Sequence, residues 1–332
     1  MDMVGNRLRW KAGKRGHYEG YYIAFNDPES ERGFWIRYSM RAPSDEAEEP
    51  VAQVWFMRTD RSRTPRNVAI RQTFPIQQLS ASAEPFYVEI ADNRLSADGC
   101  RGAIASDGVE ASWNLDFDSV LPPIAPTPEW GARVATCFLE PRPLLRISGT
   151  ITENNQEVAV EGWLGEQAHV FGKRHSQRWH WAECKHLGAP GRAFTGFAAW
   201  PALPGGVRTV TSLYLELGDG RRILRNRFRE MLKPVTEHSP DGWEFDAEYA
   251  RDRLVGSVRP DPDDLIGITY HDPSGQPIYC YHSELADFSL QYHRRSKPSA
   301  EWRLEEEFTA PKSASFEYGS ATALEGIPLL LS

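Results

Sequence analysis

The sequence predicts an all-β protein, and three observations carry that expectation. Apolar residues recur at every second position along most of the chain, the period of a half-buried strand. The 24 prolines and 26 glycines interrupt nearly every window of about 12 residues in which a helix could run. Turn sequences separate the alternating runs at short spacing, as in sandwiches and barrels.

The strands can be justified in order. Phe34-Trp35-Ile36-Arg37-Tyr38-Ser39-Met40 puts Phe34, Ile36, Tyr38 and Met40 on one face. Val51 to Arg58 reads as a further strand. Trp113, Leu115 and Phe117 alternate with Asn114, Asp116 and Asp118. Leu121 to Pro128 holds four prolines and cannot be a central strand, so it reads as a crossover loop. Leu144 to Ile151 and Val158 to Trp163 are strands again. Thr209 to Leu217 and Arg221 to Phe228 flank Asp219-Gly220, which supplies the positive φ of a hairpin turn. Leu265 to Tyr270 and Ile278 to His282 form a second hairpin, while Leu285 to Ser296 reads equally well as a short helix or a strand. The Leu187-Gly188-Ala189-Pro190-Gly191 break divides the chain into expected domains 1–187 and 188–332.

Composition narrows the function classes. The chain has 332 residues, 38 Lys and Arg against 46 Asp and Glu, and a net charge of −8. An acidic chain is a poor general binder of nucleic acid or of anionic membranes. Arg221, Arg222, Arg225, Arg227 and Arg229 read as a solvated strand edge or else a surface for an anionic ligand, the four odd-numbered ones sharing a face. No apolar run approaches about 18 residues, so no membrane insertion is expected. Met1 to Gly16 has no apolar stretch of the kind a secretory signal needs. Cys100, Cys137, Cys184 and Cys280 form no CxxC pair and read as reduced, buried thiols of a cytoplasmic protein. Phosphate-binding glycine loops and a G-x-S-x-G elbow are absent, which argues against nucleotide binding and serine hydrolysis.

Ala168 to His186 concentrates chemistry, with four of the nine histidines and two of the eleven tryptophans. On a strand Trp179, Trp181, Glu183 and Lys185 share one face, and His180, Ala182 and Cys184 the other. That first face is either core with a paired acid or the wall of an apolar cavity with Glu183 as proton donor or acceptor. His169 and His175 have one parity, His180 and His186 the other, so one strand cannot aim all four at an ion; no metal is expected.

The same segment resembles the signature of the tocopherol cyclase-like proteins: a lysine–asparagine–tryptophan–glycine turn, a short loop, then Trp-x-Trp-x-Gln-Cys-Asn. Here His169-Val170-Phe171-Gly172 stands at the turn, and Trp179-x-Trp181-x-Glu183-Cys184-Lys185 at the second part. His17-Tyr18-Glu19-Gly20-Tyr21-Tyr22 and Gly33 to Tyr38 are similar to that family's opening strands. Phe316-Glu317-Tyr318-Gly319 and Ile327-Pro328-Leu329 are similar to its C-terminal end. More distantly the chain resembles the carotenoid 1,2-hydratase and AttH-like proteins. The resemblance implies two lipocalin-like antiparallel β-barrels with a ligand cavity near their junction. It also implies a lipophilic, isoprenoid-like or polyketide-like small molecule as partner, and cofactor-free cyclisation, hydration or isomerisation.

Candidate residues follow from both readings. Glu183 or Glu19 is the expected proton relay, with His175 as the third catalytic candidate. Trp179, Trp181, His169, Phe171, Arg37, Tyr38 and Tyr21 are the expected ligand contacts. Glu19 lies either on an outer face or in a cavity, and Arg37 either bridges Glu19 or meets water. Tyr279, Tyr281, His282 and Glu284 read as plain strand alternation. Two further classes stay open: a non-catalytic carrier or sensor with the same cavity, and an interaction module with a filled barrel.

Overall fold

A computed structural model describes residues 6–127, 132, 136–203, 206–207, 209–233, 236 and 239–332, with no side-chain description for 202–208 and 228. Met1 to Gly5 and Pro128, part of the N-terminal and proline-rich readings, lie outside these residues. The chain forms two nearly closed antiparallel β-barrels with almost no helix.

The first barrel is one eleven-stranded sheet. Its strands are β1 (His17–Asp27), β2 (Arg32–Ala42), β3 (Val51–Asp60), β4 (Asn67–Pro75), β5 (Leu79–Ala83), β6 (Phe86–Ile90), β7 (Asn93–Ser96), β8 (Gly99–Ser106), β9 (Val109–Ser119), β10 (Thr136–Glu153) and β11 (Gln156–Gly172). β1 joins the early meander to β11, giving the order β4-β3-β2-β1-β11-β10-β9-β8-β7-β6-β5. The second barrel holds β12 (Arg178–Cys184), β13 (Arg192–Ala199), β16 (Val210–Leu217), β17 (Arg222–Arg225), β18 (Trp243–Tyr249), β19 (Asp252–Arg259), β20 (Ile266–His271), β21 (Pro277–Arg294), β22 (Arg303–Ser320) and β23 (Leu329–Leu331). Ala202–Leu203 and Gly206–Val207, β14 and β15, pair only with each other. β23 departs from the antiparallel rule by pairing parallel with β20. Among the described residues no helix is long and apolar enough to cross a membrane.

β12 hydrogen-bonds to β13 and β22 of the second sheet, so the change of sheet falls between 172 and 178, ahead of the Leu187–Gly191 break. A glycine–proline turn marks a reversal, and here the reversal is an ordinary hairpin within the second sheet. Leu285 to Ser296 is strand through Arg294. The arginine run is not a uniformly solvated edge. β17 ends at Arg225, which is 1% exposed and donates to the carbonyls of Thr211, Glu230 and Lys233. A helical turn at Phe228–Met231 breaks the strand parity on which the edge reading rested.

Alternation sorts the side chains into three layers. Tyr21, Ile23 and Phe25 of β1 and Phe34, Ile36 and Tyr38 of β2 fill the first barrel. Ala182, Cys184, Phe194, Trp243, Phe288 and Phe316 fill the second. A third cluster joins them: Tyr22, Ala24, Trp35, Trp55 and Ala168 from the first barrel meet Trp181, Phe197, Ile268 and Cys280 from the second. Each junction strand is therefore covered on both faces, which explains why β1 is buried from His17 to Asn26. Ion pairs fasten the rim: Arg61 to Asp264 at 2.5 Å and Lys312 to Glu31 at 2.5 Å. All four cysteines are buried and unpaired with one another.

Candidate functional site

The junction is where the chemistry-bearing side chains gather. β12 turns Trp179, Trp181, Glu183 and Lys185 outward from its own barrel and onto the first one. Register makes rows across this sheet: Glu183 lies between Thr195 and Ser315, and Trp181 between Phe197 and Glu317. Glu317 in turn lies opposite His282. The facing layer comes from β10, β11, β1 and β2, which supply Glu140, Glu166, Tyr22 and Trp35.

Glu183 is 1% exposed. One oxygen of Glu140, Glu166 and Glu183 each lies within 4.8 Å of the others. Lys185 Nζ is 2.6 Å from Glu183 and 3.0 Å from Glu166. Thr195 Oγ1 donates to Glu140 at 3.0 Å. Three buried carboxylates against one ammonium leave excess negative charge, so the group must hold protons. Burial raises Glu183, Lys185 pulls it back, and the outcome is about 7. Burial and the neighbouring Glu183 charge push Glu140 well above the carboxylate range. Glu140 thus carries a proton toward Glu183, as two close carboxyls do when both cannot ionise. Three carboxylates also make a donor set for a hard cation, but the Lys185 ammonium already bridges two of them.

Apolar and aromatic surface surrounds this acid. Tyr22 meets Trp181 edge-on at 5.9 Å, and Phe138 meets it at 6.4 Å. Beside Glu183, Lys185, Glu166, Ser313 and Ser315 lies a gap of about 10 Å³, the size of one water site. The larger hollows, of about 880 and 760 Å³, lie among Trp243–Asp246 and Val255–Ser257, and among Ser96–Arg101 and Asn114–Asp116. Neither is lined by a candidate residue.

A second polar chain adjoins the first. His282 Nε2 is 2.6 Å from Glu284, and its Nδ1 is 3.3 Å from Glu317. Ser315 donates to Glu284 at 2.5 Å, and Trp179 Nε1 to Glu317 at 3.0 Å. Burial disfavours a charged imidazole, but the two glutamates outweigh it and raise His282 to about 9.

Glu19 belongs elsewhere, at one end of the first barrel. It accepts from the backbone of Arg9 and Trp10 and from His17, His169 and the Tyr21 hydroxyl, at 2.8 to 3.2 Å. Burial opposes its charge, but the hydrogen bonds from His169 and His17 prevail and hold it at about 2. His169 stacks on Tyr21 at 4.1 Å, and Phe171 lies under Arg9 at 5.2 Å. Tyr38 is inside the same barrel, accepting from Trp113 Nε1 and donating to the Arg94 carbonyl.

Sequence reasoning grouped Glu183, Glu19, His169 and His175 around one cavity, and the structure divides them. Beyond the bulge at Glu161–Trp163 the odd positions of β11 face the first barrel's interior, so His169 and Phe171 go to the side of Glu19. His175 is at the rim, bonded to Asp272 at 2.5 Å and stacked on Tyr18 and Tyr270. Arg37 cannot bridge Glu19, because it faces the junction and Glu19 the interior; it donates instead to Tyr270 Oη at 3.2 Å. Trp179 and Trp181 do share the Glu183 face. Glu140, Glu166, His282, Glu284 and Glu317 escaped the sequence reading as site members. Their signal was an acid or imidazole inside an otherwise apolar strand, but their meeting depends on register between distant strands.

The chain matches no protein-family profile. The Mycobacterium tuberculosis proteins "Uncharacterized protein MT0513" and "Uncharacterized protein Rv0493c" are each 23% identical over 293 residues, 85% of this chain and 83% of theirs. Among solved structures, a putative AttH, NE1406 of Nitrosomonas europaea, superposes with TM-score 0.56 at 13% identity, covering 94% of both chains. CghA superposes with TM-score 0.56 at 9% identity, over 92% of this chain and 88% of its own. Kievitone hydratase of Nectria haematococca follows at 0.52 and 9%, over 91% and 88%. The chain therefore has the double-barrel architecture of these AttH-like and hydratase-like structures.

Proposed function

We propose that the protein is an acid catalyst acting on a lipophilic, unsaturated small molecule at the junction of its barrels. Glu183 is the proton donor, recharged through Glu140. Cyclisation, hydration and isomerisation of a carbon–carbon double bond all begin with such a transfer. Trp181 and Tyr22 offer π faces to the developing cation. The observation that carries this reading is the Glu140–Glu183 pair: two buried carboxyls from different barrels, with Glu183 poised near neutrality, where general acids work best. The resemblance to the tocopherol cyclase-like proteins and the architecture shared with a hydratase support it. No cofactor is required, and a cytoplasmic address suits the four free thiols. The gap beside Glu183 holds about one water, so a substrate enters when the facing sheets part.

A second reading has its own observation. Both interiors are packed with large side chains, which favours a non-catalytic double barrel. Native mass spectrometry of the purified protein, with extraction of anything bound, supplies the candidate substrate. The Glu183→Gln and Glu140→Gln proteins are then assayed on it. A loss of turnover of about a hundredfold or more in both supports the proposal, and unchanged turnover or no conversion by wild type overturns it.

A further inference from the structure

Arg37 departs from the rule that a buried charge is paired. It is 6% exposed, yet no carboxylate of the described residues lies within 4.0 Å of its nitrogens. Arg58, by comparison, holds Glu153 through two nitrogens at 2.7 and 2.8 Å, and Arg225, whose Nε also lacks a partner, still donates to three carbonyls. A guanidinium has five N–H donors. In Arg37 one of them has a partner, the Tyr270 hydroxyl, and Nε has none. Glu317 acts on it only from beyond ion-pair distance, and is already engaged by His282 and Trp179.

The surroundings are built for this residue. Its guanidinium carbon is 5.6 Å from the Trp35 ring, 6.0 Å from Trp55 and 5.0 Å from Tyr270. Gly20 makes the space: a Cβ there would come within 2.8 Å of Nε and Nη2. A second cation, Arg71, also lies over Trp55, at 4.8 Å. Two guanidiniums thus share one indole, and of the two Arg71 already donates to the Ser332 oxygen at 2.9 Å. Cation–π contacts stabilise a buried cation only in part, and the chemistry of a guanidinium's unused N–H donors matches a planar oxyanion.

We propose that Arg37 is the anchor for the anionic end of the ligand, a carboxylate or comparably acidic oxygen on an apolar body that lies along Trp35 and Trp55. This rests on the reading that the junction admits a lipophilic ligand, and it narrows that ligand to amphiphilic acids. The anion's charge is what the site supplies least and needs most. Arg37 grips it while the apolar portion extends toward Trp181 and Glu183.

The test compares two probes of equal chain length, dodecanoate and 1-dodecanol, by isothermal titration with the full-length protein. Wild type is expected to bind dodecanoate about ten- to a hundredfold more tightly, the range for hydrogen bonds to a charged group. Arg37→Gln removes that preference and leaves dodecanol binding unchanged, while Arg37→Lys keeps part of it. Should Arg37→Gln fail to fold, Gly20→Ala displaces the guanidinium without removing the charge and weakens dodecanoate alone. Equal binding of the two probes, no binding of either, or a preference that survives Arg37→Gln and Gly20→Ala overturns the proposal. The readout needs no turnover. Dodecanoate preference with a fully active Glu183→Gln keeps the anchor and sinks acid catalysis, and equal binding with an inactive Glu183→Gln does the reverse.

Discussion

Glu140 of the first barrel and Glu183 of the second bring carboxylate oxygens within 4.8 Å of each other in the layer between the barrels. Neither barrel contains the pair alone. The contact makes barrel docking and the protonation state of the site one problem.

Glu183 is raised to about 7 against an ordinary 4.5. Between those values the folded protein holds a proton that the unfolded chain has lost, so stability falls as pH rises from about 4.5 to 7. The contribution is on the order of 3 kcal/mol. Urea unfolding of wild type and Glu183→Gln should show the downward slope in the first and a flatter line in the second. Identical slopes would contradict the assignment.

Lys185 is the only cation within ion-pair distance of Glu166 and Glu183 among the described residues. Lys185→Met leaves their charge uncompensated in a dry layer and should cost about 3–5 kcal/mol at pH 8. The loss should shrink at pH 5, where Glu183 takes up a proton. A loss that is independent of pH would point to packing alone.

Glu19 is depressed to about 2. Its contribution is present above about 4.5 and disappears as pH falls through 2, on the order of 3 kcal/mol in all. Glu19→Gln should lose that amount at pH 7 and become readily cleaved by protease ahead of His17, because an amide leaves Arg9 and Trp10 one uncharged acceptor oxygen in place of two charged ones. Intact resistance to cleavage would exclude the clasp.

His282 is raised to about 9 by Glu284 and Glu317. Its stabilisation is complete below about 6.5 and lost as pH rises to 9, the opposite sense to Glu19. His282→Gln should abolish that alkaline decline, and an NMR titration of the imidazole should find it protonated at pH 7.5. A neutral ring at that pH contradicts the arrangement.

Gly319 lies beneath the Trp179 indole, where an added Cβ would meet ring carbons at 2.0 Å. Gly319→Ala should therefore destabilise by about 1–3 kcal/mol and shift tryptophan emission to the red. An unchanged melt and spectrum would mean that Trp179 is not held there.

Strand identity was legible because alternation is local. Phe34, Ile36 and Tyr38 fill the first barrel as their period required, and both hairpins formed where Asp219-Gly220 and the turn at 271–275 indicated. Strand parity also put Trp179, Trp181 and Glu183 on one face. It left open which way that face turned, since β12 is buried on both sides. The arginine run failed because a turn at Phe228–Met231 reset the parity.

The sequence by itself determined an all-β chain, its turns, and the residue types available for proton chemistry. The tertiary structure alone decided their company. It put Glu19 with His17 and His169, and Glu183 with Glu140, Glu166 and Lys185, although Glu19 and Glu183 had read as alternatives for one role. The physical reason is that a strand specifies its faces over two residues, whereas the neighbour across the junction is chosen by register and barrel docking. Those depend on the burial of whole sheets, and so does the dryness that raises Glu183 toward neutrality.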